Sequence, residues 1–260
     1  MGILNVTPDS FSDGGSFDTL EAAVDRAQRL AAAGMDILDI GGQSTRPNAK
    51  DVSLQAELDR VIPIVEAIRR VSEVPISVDT TKAGVAAAAI AAGADLVNDI
   101  SGATYDPEML AVAAQLDVPI VLMHLRGTPK TMQQMTDYRD LVGEIASWLE
   151  SRVEAAVAAG IPHHRIAIDP GIGFAKTGAQ NIELLRNLSA FQSLGCPILV
   201  GPSRKSFIGH ILDRPDPKQR VWGTAAACCG AIAGGADLLR IHDGSEMADV
   251  CRVADAIWRP

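Results

Sequence analysis

Two adjacent cations in the run Gly201-Pro202-Ser203-Arg204-Lys205-Ser206 stand where a helix is about to begin. A helix amino terminus carries partial positive charge, so Arg204 and Lys205 cost stability there unless an anion or a ligand carbonyl meets them. A second cluster is Arg240-Ile241-His242-Asp243. Alternate residues of an extended segment share one side, so Arg240 and His242 converge. An arginine with two parallel donors, beside a histidine, suits a phosphate or diphosphate. Asp79, Asn98 and Asp169 form a third group, without cations in their own neighbourhoods. Two carboxylates and an amide suit an edge of alternating donors, as on an amino-pyrimidinone ring, and such donors let a buried carboxylate stay charged at modest cost. The alternative is that Asp79 and Asp169 merely cap the helices that follow them; the pattern alone leaves both readings open. Gly171-Ile172-Gly173-Phe174-Ala175-Lys176-Thr177 lacks the adjacent Gly-Lys and the spacing of a Walker A loop, which sets nucleotide hydrolysis aside. His163, His164 and His210, without an arginine at a strand end, read as structural.

These groups make one site only if distant segments bring them together, and the chain has a cadence that does so. Eight short aliphatic runs recur: Ile3-Leu4-Asn5-Val6, Ile37-Leu38-Asp39-Ile40, Ile76-Ser77-Val78-Asp79, Leu96-Val97-Asn98-Asp99, Ile120-Val121-Leu122-Met123, Ile166-Ala167-Ile168-Asp169, Ile198-Leu199-Val200-Gly201 and Leu238-Leu239-Arg240-Ile241. Helical periodicity fills the stretches between them, at 20–33, 54–70, 83–92, 107–116, 140–159, 181–188, 221–233 and 245–258. Strands of this kind, separated by amphipathic helices, are repeated parallel βα units, and eight of them predict an α/β fold of the (β/α)8 barrel type. Such barrels carry their chemistry at the carboxyl ends of the strands. Those ends hold Asn5, Asp79, Asn98, Asp169, Lys205, Arg240 and His242. Small residues and then glycine close several helices, as at Ala32-Ala33-Gly34 and Ala91-Ala92-Gly93, and read as helix stops on the opposite face. The loops 7–18 and 41–53 are long and rich in glycine, proline and serine, which makes them candidate substrate lids. The segment 125–138, with Met132 and Met135 among polar residues, reads as a rim of unassigned role.

At 260 residues, 47% of them apolar, the chain can bury one large core, and we read residues 1–260 as a single domain. The net charge of −9 argues against a nucleic-acid surface. No stretch approaches the roughly 20 apolar residues of a membrane span, and the amino terminus lacks the regions of a signal peptide, so the expected location is the cytoplasm. Cys196, Cys228, Cys229 and Cys251 show no zinc-site spacing and read as reduced thiols. The first run begins almost at Met1, where a barrel strand usually has residues before it; a short upstream segment is the expectation.

In eight stretches the chain resembles the dihydropteroate synthases, over almost its whole length. The stretches are residues 1–17 (MGILNVTPDSFSDGGSF), 41–47 (GGQSTRP), 77–80 (SVDT), 97–101 (VNDIS), 122–124 (LMH), 169–176 (DPGIGFAK), 203–206 (SRKS) and 240–243 (RIHD). The resemblance implies a magnesium-dependent condensation of 6-hydroxymethyl-7,8-dihydropterin diphosphate with 4-aminobenzoate, giving 7,8-dihydropteroate and diphosphate. It implies that Asp79, Asn98, Asp169 and Lys205 hold the pterin, and that Asn5, with magnesium, holds the diphosphate together with Arg240 and His242. Phe11, Ser44, Thr45, Arg46, Pro47, Phe174, Ser203 and Lys205 would form the aminobenzoate pocket. The catalytic set by resemblance is Asn5, Lys205, Arg240 and His242, Asn5 being the metal ligand. A homodimer and a pocket that sulfonamides target are implied as well. Gln43 stands where many relatives have glutamate, and Pro202 stiffens the turn before Ser203. Two rivals are a pterin barrel transferring methyl from methyltetrahydrofolate to cobalt, which needs neither Ser44-Thr45-Arg46-Pro47 nor Arg240 with His242, and a catalytically silent relative, which would lack Asn5, Lys205 or Arg240.

Overall fold

The computed structural model describes residues 1–6, 16–44 and 51–259. Among the described residues eight strands carry the architecture: β1 (Gly2–Asn5), β2 (Leu38–Gly41), β3 (Ile76–Asp79), β4 (Leu96–Asp99), β5 (Ile120–Met123), β6 (Ile166–Asp169), β7 (Leu199–Val200) and β8 (Leu238–Leu239). The first six pair in parallel and in chain order, and β7 pairs in parallel with β8. Two single bridges, Ile168 with Ile198 and Gly2 with Ile241, join the two sheets into a ring. The second is held from both sides, Ile3 N donating to Ile241 O at 2.8 Å and Ile241 N donating to Met1 O at 3.0 Å. The expected (β/α)8 barrel is the fold, and each expected run lies within about one residue of a strand, except that β7 and β8 are only two residues long.

Strands buried on both faces read as near-continuous aliphatic runs, and the two faces have separate jobs here. Leu38, Ile40, Ile76, Val78, Val97, Ile120, Leu122, Ile166 and Ile168 point outward into the main core, shared with helix residues such as Ala23, Leu30, Val61, Val65 and Leu149. The alternate residues point inward. Their lower layer is a small apolar cluster of Met1, Val121 and Leu199 with Ile37, Leu96, Ala167 and Leu238 packed against it. The upper layer is polar.

The helices are α1 (Ser16–Ala32), α2 (Leu54–Arg69), α3 (Ala83–Ala91), α4 (Met109–Gln115), α5 (Leu141–Ala158), α6 (Gly178–Arg186), α7 (Ser206–Leu212), α8 (Val221–Ala233) and α9 (Gly244–Trp258). Local chemistry fixes several starts. Ser53 accepts from Ala56 N at 3.2 Å ahead of α2, Asp140 accepts from Gly143 N at 3.0 Å ahead of α5, and Thr177 with Gln180 forms a capping box on α6. Gly34 and Gly93 have φ of 89° and 112°, the left-handed residues that stop α1 and α3 as expected. The first helix begins at Ser16 rather than residue 20, α6 begins at Gly178 rather than residue 181 and gives way to a 3-10 segment at Leu188–Leu194, and the helix expected to begin after Lys205 is α7.

The segment 125–138 is not a loose rim. Met132 is 1% exposed, in an apolar cluster with Ile100, Met123, Leu125, Phe174 and Ala175 above the ends of β5 and β6, while Met135 is exposed. Its role is to floor the loop that carries Phe174.

Candidate active site

Arg240, just past β8, is the centre of the upper layer. Its Nε donates to Asp39 Oδ2 and its Nη2 to Asp79 Oδ2, both at 2.6 Å. Asp39 is fully buried in β2, and Asn98 Nδ2 lies 3.4 Å from each of its carboxylate oxygens. The expectation that Asp79 lacks a nearby cation is therefore corrected. The cation comes from the opposite end of the chain, where neighbourhood in sequence could not reveal it. One edge of the guanidinium, Nε with Nη2, is spent on these carboxylates, while the Nη1–Nη2 edge keeps two parallel N–H donors. Nη1 meets no acceptor among the described residues.

The capping alternative for Asp79 and Asp169 is ruled out by geometry. The residues at the starts of α3 and α6 are Lys82 and Thr177. Asp169 instead accepts from Gly171 N at 2.7 Å, which folds the loop after β6 back over the strand. Both carboxylates are buried. Burial raises Asp79 to about 7, with Arg240 pulling it down. Burial likewise raises Asp169 to about 6, opposed by the Gly171 N–H, Lys205, Lys176 and Arg240. Such groups keep their charge best when a ligand supplies donors.

Lys205 stands at the amino end of α7 with no capping bond, and its Nζ lies 4.1 Å from the centre of the Phe174 ring. Burial and Arg240 push its amine down to about 8. Gly173, at φ 86°, lets the loop approach this lysine: a Cβ there would lie 2.7 Å from Lys205 Cδ. Arg204 needs no ligand anion, because Asp243 forms a bidentate pair with it. Ser203 Oγ accepts the backbone N–H of His242 at 3.1 Å and lies 3.0 Å from its Nδ1. A hydroxyl already accepting from that N–H is suited to donate to Nδ1, leaving the ring proton on Nε2. Burial and the neighbouring Arg204 and Arg240 press this imidazole down to about 3, so His242 offers a hydrogen bond rather than a charge.

Asn5, at the end of β1, is half-buried and its amide meets no partner among the described residues. Ser44, in the second loop, is half-buried. Phe11, Thr45, Arg46 and Pro47 lie outside the described residues. Beside Asp79 opens a cavity of about 460 Å³, lined by Gln43, Glu57, Thr80, Lys82, Ile100 and Tyr105 among others. In its wall Lys82 Nζ bridges Glu57 Oε2 at 2.5 Å and Gln43 Oε1 at 2.7 Å. The residues that the sequence reading did not single out are Asp39, Glu57, His124 and Lys176. Asp39 had a signal, a carboxylate inside an aliphatic strand on the inward-facing alternation.

The barrel, with a buried donor-and-acceptor layer at its mouth, matches along residues 1–242 the family model described as pterin binding enzyme. A dihydropteroate synthase of Synechocystis is 61% identical over 259 residues, covering 100% of this chain and 90% of the relative. The solved dihydropteroate synthase of Xanthomonas albilineans with 4-aminobenzoic acid superimposes with a TM-score of 0.94 at 46% identity, covering 100% of this chain and 93% of that one. That of Yersinia pestis, solved as a sulfonamide drug complex, gives 0.93 at 46% identity over 99% and 93%. By class the chain is a pterin-binding enzyme. Within that class it belongs to the dihydropteroate synthases, transferases of folate biosynthesis.

Proposed function

We propose that the upper layer of this barrel condenses 6-hydroxymethyl-7,8-dihydropterin diphosphate with 4-aminobenzoate through the following division of labour. Asp79, Asn98 and Asp169 accept the donor edge of the pterin, and Lys205 lies against it. Arg240 Nη1, His242 Nε2 and Asn5 receive the diphosphate. Phe174, Ser203 and Lys205, with Phe11, Ser44, Thr45, Arg46 and Pro47 of the two long loops, receive 4-aminobenzoate. The single observation that carries the reading is Arg240 anchored by Asp39 and Asp79 with one face free, a cation fixed in place before any ligand arrives.

The carbon–oxygen bond of the pterin methylene breaks and the electron pair leaves with the diphosphate, while the aminobenzoate nitrogen forms the carbon–nitrogen bond and then loses a proton. Negative charge grows on the leaving group, so Arg240, whose own charge is secured by two carboxylates, stabilises the transition state more than the ground state. Positive charge grows on the methylene and spreads into a ring held by carboxylates. The amine needs no strong protein base, and none is assigned. Exclusion of water by the ligands and loops removes the competing nucleophile.

Magnesium is part of the proposal. Among the described residues no group of three or more His, Cys, Asp or Glu forms a metal cluster. The unpartnered amide oxygen of Asn5 is a hard donor, and it fits a cation that takes one protein ligand and fills its shell with phosphate oxygens and water. When bound, the ion would supply further neutralisation of the diphosphate.

We also infer that the protein pairs with a second copy. Ile211 and Trp222 are 64% and 76% exposed on α7 and α8, and Val253, Ile257 and Trp258 are exposed on α9. Light scattering should give twice the mass of 27.3 kDa; a monomer would end that proposal. No described helix is long and apolar enough to cross a membrane, and a cytoplasmic location accords with this. Competition of sulfonamides with 4-aminobenzoate is the corresponding pharmacological expectation.

The test of function is diphosphate release by the purified protein with magnesium and the pterin diphosphate. Release that requires 4-aminobenzoate and yields dihydropteroate supports the assignment. A folded protein that binds the pterin and releases nothing refutes it.

A further inference from the structure

Behind the pterin-facing carboxylate lies a buried amine that the reaction as described does not use. Lys176 is 3% exposed and forms no ion pair with a carboxylate among the described residues. Its Nζ lies 3.0 Å from His124 Nδ1 and donates to Phe174 O at 2.8 Å. His124 is 1% exposed, turns its ring edge-on to Trp148 at 5.0 Å, and donates its backbone N–H to Asp169 O at 2.9 Å. The approach is tight. Gly171, at φ 75°, passes so close that a Cβ there would sit 2.1 Å from His124 O and 3.2 Å from Lys176 Nζ. Tyr138 closes the same turn by donating to Ala175 O at 3.0 Å.

A buried ammonium is costly, and a carboxylate partner is the usual compensation. Here an imidazole nitrogen and a carbonyl take that place, and each belongs to a segment that touches the site. His124 follows β5 and is tied to Asp169. Phe174 lies over Lys205. We propose that Lys176, held by His124, is a positioning residue for the condensation: it fixes the Phe174 carbonyl, and so the ring over Lys205, and places a positive charge behind Asp169. The inference rests on the synthase reading and names two residues that set its geometry without touching a substrate.

The electrostatics agree. Burial, with Lys176 and Arg126 adding to it, pushes His124 down to about 2, so the ring is neutral and its Nδ1 is free to accept. Burial pushes Lys176 down to about 7; Asp169 opposes this, and Lys205 and Arg126 reinforce it. Below that pH the charge is present, in the range where Asp169 itself titrates, with Lys205 and Arg240 as its other cations. Above it, a neutral amine keeps two N–H donors and so keeps both contacts.

The test uses the full chain with Lys176→Met, His124→Leu and His124→Asn, the last retaining an acceptor near Nδ1. Lys176→Met and His124→Leu should each raise the KM for 4-aminobenzoate about tenfold with a smaller change in kcat, the scale of a lost hydrogen bond to a charged group. Lys176→Met should also move the acid limb of pterin diphosphate binding up by about half a pH unit, because Asp169 loses a neighbouring cation. His124→Asn should stay close to the parent in KM. Unchanged KM and an unmoved acid limb in Lys176→Met overturn the proposal, as does a His124→Asn enzyme as impaired as His124→Leu. Should Lys176→Met fail to fold, the two His124 variants decide it alone. A parent enzyme that makes no dihydropteroate would refute the function instead, so the two failures are distinguishable.

Discussion

Inside the barrel, the floor and the mouth are built by the same strands and differ in nearly every other respect. The floor is aliphatic, with Val121 and Leu199 buried against Ile37, Leu96, Ala167 and Leu238. The mouth, two residues further along most strands, holds Asp79, Asn98, Asp169 and Arg240. The floor has no ionisable side chain, its one titrating group being the buried Met1 amine that burial pushes down, whereas the mouth keeps two carboxylates raised to about 7 and about 6 and a lysine lowered to about 8. The floor, with the outward-facing core, supplies the stability from which the mouth subtracts. Asp39 lies between the layers, fully buried, and transfers the rigidity of the β2 wall to Arg240.

That division can be broken from below. Leu199→Ala should cost about 3–4 kcal/mol of stability by opening a cavity in a collapsed apolar layer, with both KM values unchanged. Chemical denaturation beside steady-state kinetics measures both, and a changed KM would show that the layers are not separate. From above, Arg240→Ala should lower kcat about a hundredfold, the scale of losing one electrostatic donor to a developing charge. A rate near the parent's would remove Arg240 from the leaving-group site.

Asp169→Asn sharpens the comparison, because it should move function and stability in opposite directions. The folded pKa of Asp169 is raised from 3.8 to about 6, so its protonated form contributes stability below about pH 4 that is lost as pH rises through 6. At pH 8 the parent therefore carries the whole penalty, and the neutral amide should relieve about 2 kcal/mol of it. At pH 4 the difference should vanish. The same variant should weaken pterin diphosphate binding about tenfold by calorimetry; equal affinity would remove Asp169 from the pterin site. Gln43→Glu is the smallest test. It gives Lys82 a second carboxylate beside Glu57 and should change stability by less than about 1 kcal/mol, in a salt-dependent way. A larger change that salt leaves unmoved would mean that the second loop's stem does more than hold its place.

The strands were legible because a doubly buried parallel strand has no choice but to be aliphatic, and the helix stops because Gly34 and Gly93 need a left-handed backbone. The start of α7 was legible after Arg204 and Lys205 but its extent was not, since Phe207 and Ile208 are buried while Ile211 and Leu212 are exposed, which blurs any amphipathic signal. Among candidate site residues, Asp79, Asn98, Asp169, Lys205 and Arg240 could be named because each closes or follows a strand. His124 and Lys176 also do so within matching motifs, yet nothing in either motif says that their side chains meet across 52 residues. The segment around Met132 looked polar because its one buried side chain faces a cluster assembled from β5 and the loop after β6.

By itself the sequence determined the order of the strands, the end of the barrel where chemistry gathers, and the family's motifs, because alternation, capping and turn preferences act over a few residues. The tertiary structure alone decided which charges neutralise one another. Arg240 meets Asp39 across 201 residues and Asp79 across 161, and it does so only because the bridge from Gly2 to Ile241 closes the ring and brings the last strand beside the first. Coulomb energy depends on distance in space and on burial, and neither exists until the barrel has closed.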